Sequence, residues 1–285
     1  MTDSTTRSPV IRWRRDEPPV NGDDDLASEE PMEIRVAGRG VGVTMRTPGD
    51  DPAHDEELAL GFLVGEGVIA EQGDVLHVRR CDRSDGDVLD VLVGASVTVD
   101  FAALTRHVFA SSSCGICGAA TIELVRKRFP AVDDGPRVNA EMLLGLVDSL
   151  RAAQPAFDRS GGLHAAGLFD ASGRLLVARE DIGRHNAVDK IVGHALRRDL
   201  LPLRDHLLLV SGRASFEIVQ KALAAGIPIV AAVSAPSSLA VDLAEESNIT
   251  LVGFLRPGRF NVYAHPQRIG LSRPQPPAPI SDQPR

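Results

Sequence analysis

Between Leu207 and Phe254 the chain repeats one pattern: a short, continuously apolar run, a turn, and an amphipathic stretch. Leu207–Val210, Ile227–Val233 and Ile249–Phe254 read as strands, with helices over Ser215–Ala225 and Ser238–Glu246 between them. A strand without polar alternation needs both faces covered, and a helix between two such strands makes a parallel crossover. This pattern restricts the fold more than any other feature. It demands an α/β layer with largely parallel strands. Ligands of such sheets lie outside the carboxyl ends of the strands. There the sequence places Ser211-Gly212-Arg213, Ser234-Ala235-Pro236-Ser237 and Leu255–Arg259.

Upstream, Val188, Ile191, Val192, Ala195 and Leu196 repeat at helical spacing with one apolar face. Met142, Leu143, Leu146, Val147 and Leu150 carry a second helix over Ala140–Ala152, and Thr121–Arg128 a short one. Leu163–Phe169 and Arg174–Arg179 form a hairpin around Asp170-Ala171-Ser172-Gly173. Nearer the N-terminus, residues 32–47 alternate as a hairpin, Glu56–Ala70 reads as a helix, and Val75–Arg80 and Asp87–Val93 read as strands. The expected organisation is a disordered tail over 1–30, an α+β region over 31–110, an α/β core over 111–271, and a Pro-rich disordered tail over 272–285.

Charge and cysteine usage narrow the function classes. With 31 Lys and Arg against 39 Asp and Glu the net charge is −8, and aromatic residues make up 4%. Neither a nucleic-acid coat nor an anionic-membrane binder is expected from such a chain. No apolar run is long enough for a transmembrane helix, no apolar secretory core follows the N-terminus, and a cytoplasmic location is expected. Three cysteines exclude a disulfide framework. Two of them form Cys114-Gly-Ile-Cys117 after Ser111-Ser112-Ser113, at the opening of a helix whose N-terminal amides favour a thiolate. Such a pair suits disulfide exchange, half a metal site or a persulfide. With only Cys81 left, in the polar turn Arg80-Cys81-Asp82-Arg83, a zinc ribbon is not expected. His54-Asp55-Glu56 has the H-x-E form of a zinc nucleobase deaminase, but Ser113 replaces the proline those enzymes place before their cysteines.

A second cluster is Arg179-Glu180-Asp181-Ile182-Gly183-Arg184-His185-Asn186-Ala187-Val188-Asp189-Lys190. Gly183 ahead of a helix, with Arg184, His185, Asn186 and Lys190 in its first turns, suits an anion. Capped helices with solvated charges are the plain alternative. Ser211-Gly212-Arg213 and Arg256-Pro257-Gly258-Arg259 repeat the Gly/Arg combination at strand ends, which points to one shared anion pocket. Gly161-Gly162-Leu163-His164 is a further candidate for it.

Taken together, Arg46-Thr47-Pro48-Gly49-Asp50, Glu57-Leu58-Ala59 with Gly61-Phe62-Leu63, Ser113–Gly118, Gly161–His164, Glu180–Lys190 and Ser211-Gly212-Arg213 resemble the motifs of the FdhD/NarQ family, from about Glu33 to about Ile269. The resemblance implies a homodimeric formate dehydrogenase accessory sulfurtransferase with a cytidine-deaminase-like three-layer core and no bound zinc. It implies that Cys114 takes sulfur from a cysteine desulfurase as a persulfide, with Cys117 assisting. The sulfur then passes to a Mo or W bis(molybdopterin guanine dinucleotide) cofactor bound for the formate dehydrogenase catalytic subunit. The cofactor loop it implies is Phe254, Leu255, Arg256, Pro257, Gly258 and Arg259; the anion pocket read from the residues adds Gly183, Arg184, His185, Asn186, Lys190, Ser211, Gly212 and Arg213 as cofactor-binding candidates. Alternatives from other classes are a cofactor-binding chaperone without sulfur transfer and a thiol–disulfide oxidoreductase.

Overall fold

A computed structural model of the chain describes residues 4–49, 51–83, 86–102, 104 and 118–272. Its main sheet has six strands in the order β12-β11-β10-β9-β7-β8. These are β7 (His164–Asp170), β8 (Leu175–Asp181), β9 (His206–Val210), β10 (Ile229–Ala232), β11 (Thr250–Arg256) and β12 (Arg259–Ala264). Strands β9, β10 and β11 are parallel, as their unbroken apolar runs require, while β7, β8 and β12 are antiparallel to their neighbours. The helix expected over 140–152 spans Ala140–Arg151 (α3), after α2 (Gly118–Arg128). The later helices are α4 (Pro155–Ser160), α5 (Arg184–Arg197), α6 (Phe216–Ala224) and α7 (Ser238–Glu246). The sequence reading lacked α4 and β12, each only six residues long.

Strand alternation divides the core in two. Leu207 and Leu209 of β9 pack with Leu143, Leu146 and Leu150 of α3 on one face of the sheet. Leu208 and Val210 point the other way, toward Val188, Ile191, Val192, Ile218, Val219 and Leu243 of α5, α6 and α7. Each fully buried Leu here contributes about 2 kcal/mol. The protein is thus α/β, with helices on both faces of its main sheet.

The N-terminal region adds a four-stranded sheet, β4-β3-β6-β5, from β3 (Glu30–Val36), β4 (Arg39–Arg46), β5 (Val75–Arg83) and β6 (Gly86–Val93). The turn between β3 and β4 places Ala37 and Gly38 at φ of 50° and 79°, the backbone a two-residue hairpin needs. Helix α1 (Ala53–Gly65) packs against α5 and shares one continuous core with both sheets. Two glycines permit the close approach. A Cβ on Gly61 would lie 1.8 Å from the backbone oxygen of Asp189, and one on Gly193 1.8 Å from that of Glu57.

Residues expected to be a disordered tail instead form an antiparallel hairpin, β1 (Thr5–Arg12) and β2 (Val20–Ala27). Its exposed residues mix charged groups with Ile11, Val20 and Leu26 at no regular spacing, so no apolar periodicity announced it. Arg7–Asp23 and Arg12–Asp24 pair along it, Arg159 of α4 donates to Ser4, and Ser28 accepts from Thr47. Cys81, read as part of a turn, is a half-buried free thiol on β5 opposite Val88. The expected Pro-rich tail beyond Ser272 lies outside the described residues. No helix among the described residues is long and apolar enough to cross a membrane.

Candidate functional site

Strand direction gathers the candidate loops. Because β9, β10 and β11 run parallel, the loops at 211–215, 233–237 and 254–259 leave the sheet at one edge. Antiparallel pairing brings the start of β7 and the end of β8 to that same edge, with His164 opposite Asp181. Backbone bonds join neighbouring loops: Ser211 N–H to Ala165 O at 2.9 Å, Ser234 N–H to Gly212 O at 3.2 Å, and Phe254 N–H to Ser234 O at 3.1 Å. Helices α5, α6 and α7 all start from these loops, so their positive dipole ends converge along the edge.

The basic centre of the edge is formed by Arg184, His185, Arg213 and His164. Gly212 lies between two of them: a Cβ there would sit 3.4 Å from His164 Nδ1 and 3.5 Å from Arg184 Cδ. Burial, followed by the charges of Arg184, His185 and Arg213, holds the His164 pKa below its ordinary value. Arg184 Nε is buried without a hydrogen-bond partner among the described residues, and the Arg213 side chain is exposed. His185 Nε2 lies 2.8 Å from Glu217 Oε2 and 3.0 Å from Ser215 Oγ. That hydrogen bond, opposed by burial, keeps Glu217 below the usual carboxylate range. Neither N-cap residue of α5 or α6, Gly183 or Ser215, makes a side-chain cap bond, whereas Ser237 caps α7 through Ala240 N–H.

At the far end, β11 and β12 turn through Pro257 and Gly258, the latter at φ 76°. Phe254 stands 42% exposed with its backbone at φ 52°, a left-handed conformation that costs a side-chain-bearing residue energy. Arg259 is exposed. Arg256 folds back: its guanidinium donates to the carbonyls of Val233 and Leu255, so it fastens β11 to the β10 loop.

Several residues expected at the pocket belong elsewhere. Leu255 is fully buried in the core. The Ser211 hydroxyl accepts from Ala165 N–H at 2.9 Å, closing the start of β7. Asn186 and Lys190 are buried behind the helix N-terminus. Lys190 Nζ donates to Asp181 Oδ2 at 2.6 Å and to the carbonyls of Glu180 at 3.1 Å and Thr47 at 3.2 Å. The Asn186 amide nitrogen donates to Asp181 Oδ1 at 2.8 Å and Met45 O at 2.7 Å, while its oxygen accepts from Thr44 at 3.0 Å. Helical geometry explains the inward turn: these residues share the α5 face carrying Asp189 and Gly193, which meets α1 and the end of β4.

Other motif residues are joints of the same kind. Arg46 is buried among Asp55 at 2.9 Å, Glu30 at 3.0 Å and Asp87, linking β4 to α1, β3 and β6. Glu57 takes two bonds from Arg179, at 2.6 and 2.8 Å, and one from His194 at 2.7 Å. Glu217, Ser215 and Asp181 were not among the expected site residues. Only Asp181 had a signal, its place in the Glu180–Lys190 motif; Glu217 is brought to His185 by tertiary packing alone. Cys114 and Cys117 lie outside the described residues. The helix that follows them, α2, begins at Gly118, three residues before the expected start at Thr121.

The protein is similar along most of its length to chains named "Sulfur carrier protein FdhD". One from Streptomyces coelicolor is 53% identical over 276 residues, covering 94% of this chain and 96% of that protein. One from Mycobacterium tuberculosis is 52% identical over 257 residues, covering 86% and 92%. The crystal structure of a chain described as a formate dehydrogenase accessory protein from Desulfotalea psychrophila superposes with a TM-score of 0.74 at 26% identity, covering 94% of this chain and all of that one. The family model matches residues 27–270, so the chain belongs to the FdhD/NarQ family.

Proposed function

We propose that this chain is a sulfur carrier serving a formate dehydrogenase, taking sulfur as a persulfide on Cys114 and delivering it to a bis(molybdopterin guanine dinucleotide) cofactor held at the basic edge. The observation that carries this reading is the gathering of Arg184, His185, Arg213 and the N-termini of α5 and α6 on one edge of an acidic protein. Pyrophosphate groups require that combination of fixed N–H donors and guanidinium forks. The exposed ring of Phe254, on the same edge, offers a face on which a guanine can stack.

The sulfur chemistry follows from two neighbouring thiols. The Cys114 thiolate attacks the outer sulfur of a cysteine desulfurase persulfide, forming a persulfide on Cys114 and releasing the desulfurase thiolate. Attack of the Cys117 thiolate on the inner sulfur then closes a Cys114–Cys117 disulfide and releases the outer sulfur as hydrosulfide to the substrate cofactor. The two thiols supply the two electrons. Helix α2, starting directly after Cys117, favours the thiolates through its dipole. The same reading takes the protein to be a cytoplasmic homodimer whose core resembles the cytidine-deaminase fold, acting before the cofactor enters the dehydrogenase.

Mass spectrometry after incubation with a cysteine desulfurase and cysteine is expected to find about 32 Da, one sulfur atom, on Cys114. Cys114→Ala is expected to abolish both that increment and formate dehydrogenase maturation. If Cys114→Ala matures the enzyme fully, the protein works as a cofactor-binding chaperone and the sulfur-transfer reading is wrong.

A further inference from the structure

We propose that Asp181 is the positioning residue of the basic edge, a buried carboxylate that holds the first turn of α5, and with it Arg184 and His185, at the strand ends. The proposal rests on the reading of that edge as the binding place of an anionic guanine nucleotide. Asp181 is the last residue of β8 and is fully buried. Its Oδ1 accepts from the backbone N–H of Gly183 at 2.9 Å and from the Asn186 amide at 2.8 Å. Its Oδ2 accepts from the backbone N–H of Thr47 at 3.2 Å and from Lys190 Nζ at 2.6 Å.

Each bond constrains a different part of the edge. A helix that starts from glycine has no side chain at that position to shape its first turn. Here the carboxylate two residues earlier does so, gripping residues 183 and 186 on either side of Arg184 and His185. The turn is tight: a Cβ on Gly183 would lie 2.9 Å from the Asn186 amide nitrogen. Thr47 ties the same carboxylate to the end of β4, and its hydroxyl accepts from Ile182 N–H at 3.2 Å and donates to Ser28 O at 2.8 Å. Lys190 pairs with the carboxylate where both side chains are fully buried, and locks α5 against the end of β8 through Glu180 O. Four hydrogen bonds, joining the ends of β4 and β8 to α5, therefore meet at one side chain directly behind Arg184 and His185. A binding group that needs fixed geometry depends on such support.

Removing Asp181 alone leaves Lys190 buried without its counter-charge and is expected to destabilise the chain whatever else it does. The discriminating variant is Asp181→Asn with Lys190→Met, which takes away both charges and keeps the joint filled. Asn186→Ala is the second variant; it removes one grip on Oδ1 and keeps the ion pair. GDP is the probe, carrying a guanine and a pyrophosphate, titrated calorimetrically into the full chain with thermal unfolding measured alongside. Wild type is expected to bind, and Arg213→Ala to bind more weakly. The double variant is expected to unfold near the wild-type temperature yet to bind GDP about tenfold or more weakly. Asn186→Ala is expected to shift affinity the same way by a smaller factor. Wild-type affinity in a folded double variant overturns the proposal alone; if the double variant does not fold, unchanged affinity in Asn186→Ala does so. No GDP binding by wild type, or no effect of Arg213→Ala, overturns the reading of the edge and the proposal with it.

Discussion

Glu57 shows how single side chains in this protein are held against their own desolvation. Burial alone would push its pKa up, but hydrogen bonds from Arg179 and His194 outweigh it and hold the carboxyl at about 2, against an ordinary 4.5. A carboxyl whose folded pKa is depressed stabilises the fold above its unfolded pKa and loses that contribution as pH falls through the folded one. The window here runs from about pH 4.5 down to about 2, and the contribution is about 3 kcal/mol. Glu57→Gln is therefore expected to be markedly less stable than wild type at pH 7, with the gap closing as the pH drops toward 2. Denaturant unfolding of both proteins at pH 7 and pH 3 checks this; a gap independent of pH would refute it. The same scale shows a limit of reading a sequence. Arg184, His185, Asn186 and Lys190 look equivalent in the first turns of a helix. Their angular positions around the helix, and what packs on each side, send two toward the edge and two into a buried joint.

Among elements, the decisive contact is the crossing of α1 and α5. Apolar residues surround α1 on every side, so its sequence forms a helix without indicating which face meets what. Gly61 and Gly193 settle this by letting the two backbones touch, which joins the N-terminal sheet to the α/β core. Gly61→Ala is expected to force the helices apart and to cost about 3 kcal/mol or more. Thermal unfolding reads that as a fall on the order of 10 °C, whereas a change within a degree or two would show that the crossing tolerates a methyl group. The β1–β2 hairpin is the opposite case. It is tied down by polar contacts at Ser4, Ser28 and Arg159, and such contacts leave no periodic mark in a sequence.

For the whole molecule, the consequence of the fold is the separation of charge. A net charge of −8 is spread over the surface while the sheet edge gathers Arg184, His185 and Arg213. An anion approaching that edge meets local attraction inside a repelling envelope, and salt screens both over a Debye length of about 10 Å at 0.1 M. The contacts at the edge are shorter than that length and the general repulsion is longer. GDP affinity is therefore expected to fall as ionic strength is raised above about 0.1 M, and titration at a series of salt concentrations measures it. An affinity that does not change with salt would mean that the cations of the edge do not carry the binding.

What the sequence determined by itself was everything local periodicity can encode. Continuous apolar strands alternating with one-faced helices specify an α/β layer, and that layer specifies the edge at which Ser211-Gly212-Arg213 and Arg256–Arg259 emerge. Its long motifs were also sufficient to mark the family that residues 27–270 match. Only the tertiary structure decided which motif residues face a ligand and which hold the molecule together. Arg46, Glu57, Asp181, Asn186 and Lys190 are charged or polar, and in sequence they read as surface or site. They are buried because each finds a compensating partner on another element, some of them far away in the chain. The choice between a solvated and a paired charge depends on that partner and its geometry, which local sequence does not contain.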